Sequence, residues 1–173
     1  MLSDRLVEEM KHHLEDCEQS KMRHFDYSDI CYEKKTYVNT ANYVALGITL
    51  AWVLSTQFKE IIPTTHWLYS VFPVAIALVL AALNAIESKS GYAQQCSEHL
   101  SAAQRYHQLW RHCKNWKSDV DPENHVEFRD FVLKIRQRLN DINETSPHIS
   151  IFKQKEIEKF RSRNAWKPRN SYS

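Results

Sequence analysis

Residues 67–86 read WLYSVFPVAIALVLAALNAI, twenty positions without one charged side chain. A second run, residues 42–62, reads NYVALGITLAWVLSTQFKEII. Its stretch 43–58 is uncharged, and Lys59 and Glu60 stand at the far end, where a lysine can extend its ammonium to lipid headgroups. A helix of about 20 residues crosses about 30 Å of hydrocarbon. The remainder of the 173-residue chain is polar, with a mean hydropathy of −0.56 over the whole, too polar to wrap two such helices as a soluble core. The two runs therefore predict a two-helix transmembrane hairpin.

The link between them, residues 59–66, carries Pro63 and two threonines and is short enough to force an antiparallel pair. Tyr43 and Trp67 fall near the expected membrane boundaries, where amphipathic rings settle. Lys34 and Lys35 precede the first run and Lys89 follows the second, against Lys59 alone in the link. The positive-inside bias then places both termini in the cytoplasm of a two-pass protein. Residues 1–11 are charged and lack the apolar centre of a signal peptide.

Outside the runs the apolar residues recur at helical spacing. Val7, Met10, Leu14 and Cys17 form one stripe. Tyr92, Cys96, His99, Ala103, Tyr106, Trp110 and Cys113 form a second, and Phe128, Val132, Ile135, Leu139 and Ile142 a third. Asp121-Pro122-Glu123 reads as a helix start, and Ser146-Pro147 as another. Two glycines supply little turn chemistry for a sheet. The expected fold is all-α: a helical region over 1–41, the hairpin over 42–86, a cytoplasmic helical bundle over 87–163 and a loose basic tail over 164–173.

Charge is divided along the chain. Residues 1–41 hold 6 basic and 9 acidic side chains, and residues 126–173 hold 11 basic and 6 acidic. An acidic head and a basic tail can attract each other, or the tail can meet lipid phosphate, a nucleotide or a protein. Trp166 in that tail could stack on a base or insert at a membrane surface.

Catalytic and metal motifs are not recognisable. The sequence has no G-x-S-x-G, no phosphate loop and no H-E-x-x-H. Cys17, Cys31, Cys96 and Cys113 include no C-x-x-C pair and read as reduced thiols on apolar faces. The nine histidines are scattered and read as surface or packing residues. Neither an enzyme nor a cofactor or metal is expected.

The polar and small residues within the runs are more informative. Asn42, Thr49 and Thr56 stand seven apart, as do Ser70, Ala77 and Asn84, so each set shares one helix face. Thr49, Thr56, Ser70 and Ala77 are pore-lining candidates if several copies enclose water. The same groups could instead hydrogen-bond within the hairpin. Gly47, Ala51 and Ser55, at steps of four, are helix-packing candidates, because small residues let helices approach closely in lipid. Pro73 is placed to kink the second run.

This layout resembles the SLATT family, the SMODS- and SLOG-associating two-transmembrane effectors of bacterial defence islands. The resemblance covers about residues 20–160. It rests on Lys34-Lys35 ahead of the hairpin and on the stretch Glu98-His99-Leu100-Ser101-Ala102-Ala103-Gln104-Arg105-Tyr106-His107-Gln108-Leu109-Trp110. It extends to Leu139-Asn140-Asp141-Ile142-Asn143 followed by Ser146-Pro147. It implies a homo-oligomeric, pore-forming anti-phage effector of the bacterial inner membrane that acts by abortive infection. A defence-island partner would trigger it: a nucleotidyltransferase making a nucleotide signal, a SLOG protein or a reverse transcriptase. No catalytic residues come with the resemblance. The alternative is a membrane-anchored interaction module that recruits a cytosolic defence enzyme without conducting.

Overall fold

The computed structural model describes residues 2–57, 66–121 and 124–165, with the side chains of all but 2–3, 55–57, 66–70 and 117. Every regular element among the described residues is helical: α1 (Leu2–Gln57), α2 (His66–Ser90), α3 (Tyr92–Lys114), the short α4 (Trp116–Asp119), α5 (His125–Thr145) and α6 (Ile151–Arg163). The chain divides into two compact units. One comprises Met1–Ile30 with Gln94–Ser173, and the other Cys31–Ala93.

The first unit follows the α5 stripe closely and the α3 stripe in part: on α3 Ala102 and Leu109 join the buried face, while Tyr92, Cys96 and Trp110 are only partly buried. Phe128, Val132, Ile135 and Leu139 of α5 are buried, with Ile142 partly so. Each such side chain contributes roughly 1.5–3 kcal/mol by leaving water. They meet Met10 and Cys17 of α1 and Ala102, Tyr106, Leu109 and Cys113 of α3 in one core. Trp116 closes one end of this core against Phe128, ring centroids 5.1 Å apart. The thiols of Cys17 and Cys113 are fully buried within it. Their mutual hydrogen bond, with burial, raises Cys17 far above the usual thiol range and keeps it protonated and unreactive.

Two helix starts differ from the sequence reading. The α5 cap is Asn124, whose side chain accepts from the Glu127 amide at 3.4 Å and donates to the Glu127 carboxylate at 3.1 Å. Pro122 and Glu123 of the expected start lie outside the described residues. Ser146-Pro147 ends a helix instead of starting one. Ser146 stands in extended backbone at φ −88°, ψ 143°, as a residue before proline prefers. The chain then runs without regular structure to Ser150, which caps α6 by accepting from the Lys153 amide.

The second unit holds the end of α1 and all of α2. These are the two helices among the described residues long and apolar enough to cross a membrane. Their 18-residue apolar windows reach mean hydropathies of 1.2 and 2.0, with only 6% and 0% of the residues buried. Tyr32, Tyr37 and Tyr43 are exposed along α1. The Lys34 ammonium lies 5.8 Å from the Tyr92 ring centre. Gly91 separates α2 from α3 at φ +58°, a left-handed conformation that a Cβ disfavours. The expected link lies outside the described residues except for its last position, His66, which starts α2.

Candidate functional site

In the second unit Thr49 and Ala77 line one groove of about 340 Å³, together with Trp52, Val53, Pro73, Ile76 and Leu80. Two pore-lining candidates on different helices thus share a hollow. Its wall is mostly apolar, and Trp52 lies against Phe72 with ring centroids 4.4 Å apart. The Thr49 hydroxyl donates to the Ala45 carbonyl one turn back at 2.8 Å, so it needs no partner from another helix. Thr56 and Ser70 belong to α1 and α2, but their side chains, like that of Ser55, lie outside those described. Gly47 and Ala51 are exposed, and a Cβ built on Gly47 meets nothing within 4 Å. Among the described residues, then, Gly47 has open space beside it and Ala51 lies on an exposed face. Asn42 has a buried side-chain oxygen without a hydrogen-bond partner, and Asn84 is exposed.

The first unit contains a polar seam that apolar spacing does not reveal. The buried face of α1 continues past Cys17 through Lys21, His24 and Ser28, all buried, at the same alternating steps of four and three. His24 Nδ1 lies 2.9 Å from Nδ1 of His99 on α3, and both rings are buried. Tyr106 stacks on His24 at 5.4 Å, and Tyr27 meets His99 edge-on at 4.7 Å. Lys153 of α6 reaches His99 Nε2 at 3.3 Å and lies 4.8 Å from the Tyr27 ring centre. A second tie to α6 is the Arg161–Asp26 ion pair at 2.6 Å, with the Asp26 side chain only 6% exposed.

Two further contacts close the seam. The Ser28 hydroxyl donates to the Cys96 carbonyl at 3.1 Å, and the Tyr106 hydroxyl donates to Asn143 Oδ1 at 2.6 Å. Lys21 is buried with its ammonium 3.9 Å from the Trp110 ring centre, and burial lowers its pKa. Burial, aided by the charges of Arg105 and Lys153, pushes His24 down to about 4. Burial, then His24 and Lys153, pushes His99 down to about 3. Both rings are neutral at pH 7. Among the described residues no third ligand joins them in a metal-binding cluster.

His99 is visible in the sequence as a member of the α3 stripe. His24, Asp26, Lys153 and Arg161 are not, because their partners stand 54 to 135 residues away. The one local signal is the unbroken alternation of steps on α1. The basic tail is described as far as residue 165, and Trp166 lies outside. The chain matches no family model, no curated protein and no solved structure.

Proposed function

We propose that this protein is a two-pass inner-membrane effector of bacterial anti-phage defence, with both termini in the cytoplasm. It assembles from several copies and permeabilises the membrane when a partner or a nucleotide signal triggers it. The observation that carries the membrane reading is the bare outer surface of α2 and the end of α1. Leu46, Leu50, Leu54, Val71, Val74 and Leu78 are each more than half exposed, a surface suited to lipid and not to water. The exposed Gly47/Ala51 row supports assembly, since small residues on an open face suit a second helix. Lys34, Lys35 and Lys89 support the topology. The defence role rests on the resemblance to the SLATT layout.

One observation favours the second reading, a membrane-anchored recruiter that conducts nothing. The Thr49 hydroxyl is turned onto its own backbone, and the groove it lines is mostly apolar. Induced expression in cells carrying a potential-sensitive dye separates the two. A conducting effector collapses the potential as growth stops. Membrane insertion with an unchanged potential, even beside its genomic neighbours, overturns the conducting reading and leaves the recruiter.

A further inference from the structure

A hollow of about 400 Å³ opens in the first unit, walled by the Ser20–His24 stretch of α1, Tyr106 of α3, the connection after α5, and Gln154 of α6. That volume lies in the range of small-ligand sites, roughly 300–1,000 Å³. We propose that this hollow binds a small phosphate-bearing anion, held by His24, Asn143 and Arg23.

The donor directions follow from the seam. A lysine ammonium has only donors, so His99 Nε2 accepts from Lys153. The His99 proton therefore sits on Nδ1 and is given to His24 Nδ1, 2.9 Å away. His24 in turn carries its own proton on Nε2, the ring nitrogen left for the hollow that the residue lines. This tautomer is assigned from the hydrogen-bond network. Asn143 follows the same logic. Its oxygen is taken by the Tyr106 hydroxyl, which leaves its amide N–H groups as the free side. Arg23 adds a guanidinium to the wall.

The charge balance agrees with the donor set. Glu144 is the carboxylate on the wall, while Arg23 lines it and Arg105 and Lys153 stand close enough to disfavour a proton on His24. Fixed donors in a positive field select an acceptor-rich anion, and phosphate oxygens make the stronger, charge-assisted hydrogen bonds. The inference rests on the polar interior of the first unit and holds whether or not the protein conducts.

The test titrates the full-length chain in detergent with inorganic pyrophosphate by calorimetry, at constant ionic strength against a sodium chloride blank. Saturable binding at one site per chain is expected. Two sources carry this chemistry, a soluble phosphate compound and a phospholipid headgroup. A parallel titration with dioctanoyl phosphatidic acid tells them apart, and saturation by either probe supports the site. Arg23→Gln, at an exposed position, lowers affinity about tenfold, the loss expected for one hydrogen bond to a charged group. Lys153→Met acts as a positioning change. It frees His99 Nε2 to take the proton, reverses the His–His bond and turns His24 Nε2 into an acceptor. Affinity falls about tenfold although the lysine touches no anion, and the imidazole ¹⁵N shifts of His24 report the change of tautomer. His24→Phe removes the donor outright. Should that variant fold poorly, Arg23→Gln and Lys153→Met still decide. No saturable binding of either probe, or wild-type affinity in both variants, overturns the proposal.

Discussion

Lowering the pH from 7.5 to 5 should destabilise the first unit through two named rings. His24 is pushed down to about 4 and His99 to about 3, against about 6.5 in the unfolded chain. Between those values the unfolded chain binds protons that the folded one refuses, so stability falls as pH falls. The contribution is unchanged above about pH 7 and declines progressively from pH 6.5 toward pH 4 for His24 and pH 3 for His99. At pH 5 each ring stands about 1.5 pH units below its unfolded value, which costs about 2 kcal/mol per ring and about 4 kcal/mol for the pair.

The groups packed directly on the rings offer no relief: Tyr27 on α1, Arg105 and Tyr106 on α3, and Lys153 on α6. Two carboxylates stand near: Asp26 is engaged by Arg161, and Glu144 shares the wall of the hollow beside His24 with Arg23. The assay is urea unfolding of the full chain in detergent at constant ionic strength, followed by tryptophan emission, with the midpoint recorded at half-unit pH steps. A His24→Asn/His99→Asn double variant supplies the control, because it cannot titrate in this window. The midpoint of the wild type should fall steeply below pH 6.5 and that of the variant only gently. A flat wild-type midpoint, or the same slope in both proteins, would refute the assignment of neutral buried histidines.

Phe128→Ala should cost about 3–5 kcal/mol, since its ring is fully buried beneath Trp116, and should lower the thermal midpoint of the full chain. Asp26→Asn should cost about 2 kcal/mol by removing the charge that Arg161 grips at 2.6 Å, and limited trypsin digestion should then cut sooner within α6. Gly91→Ala should cost about 1–2 kcal/mol through its left-handed backbone alone, because a Cβ there meets nothing within 4 Å. Gly47→Leu should leave the fold intact for the same lack of neighbours, yet weaken crosslinking between copies in the membrane. Unchanged crosslinking would remove the Gly47/Ala51 row from the assembly contact.

Much of the fold is legible because burial follows hydrophobicity in three of its helices. Phe128, Val132, Ile135 and Leu139 announce the core face of α5 by spacing alone, and Met10, Leu14 and Cys17 do so for α1. The same signal fails after Cys17, where the inward face turns polar at Lys21, His24 and Ser28. A scan for apolar periodicity stops there, although the geometric period goes on. The helix starts are set by local cap chemistry that the proline signals do not report: Asn124 with Glu127 opens α5, and Ser150 with the Lys153 amide opens α6.

The candidate groove was half legible for a different reason. Seven-residue spacing puts Thr49 and Thr56 on one face of a helix, but it says nothing of which hydroxyls are already satisfied. Thr49 is satisfied by Ala45, so a polar residue in an apolar run is not by itself a sign of water. The exposed apolar residues decide more. Leu46, Leu50 and Leu54 recur at steps of four on α1, and Val71, Val74 and Leu78 at steps of three and four on α2. A soluble hairpin core would bury such rows against the rest of its own chain. Among the described residues those side chains are left uncovered, a surface suited to lipid or to further copies of the chain. A row of Gly47 and Ala51 adjoining that surface is where a second helix can come closest.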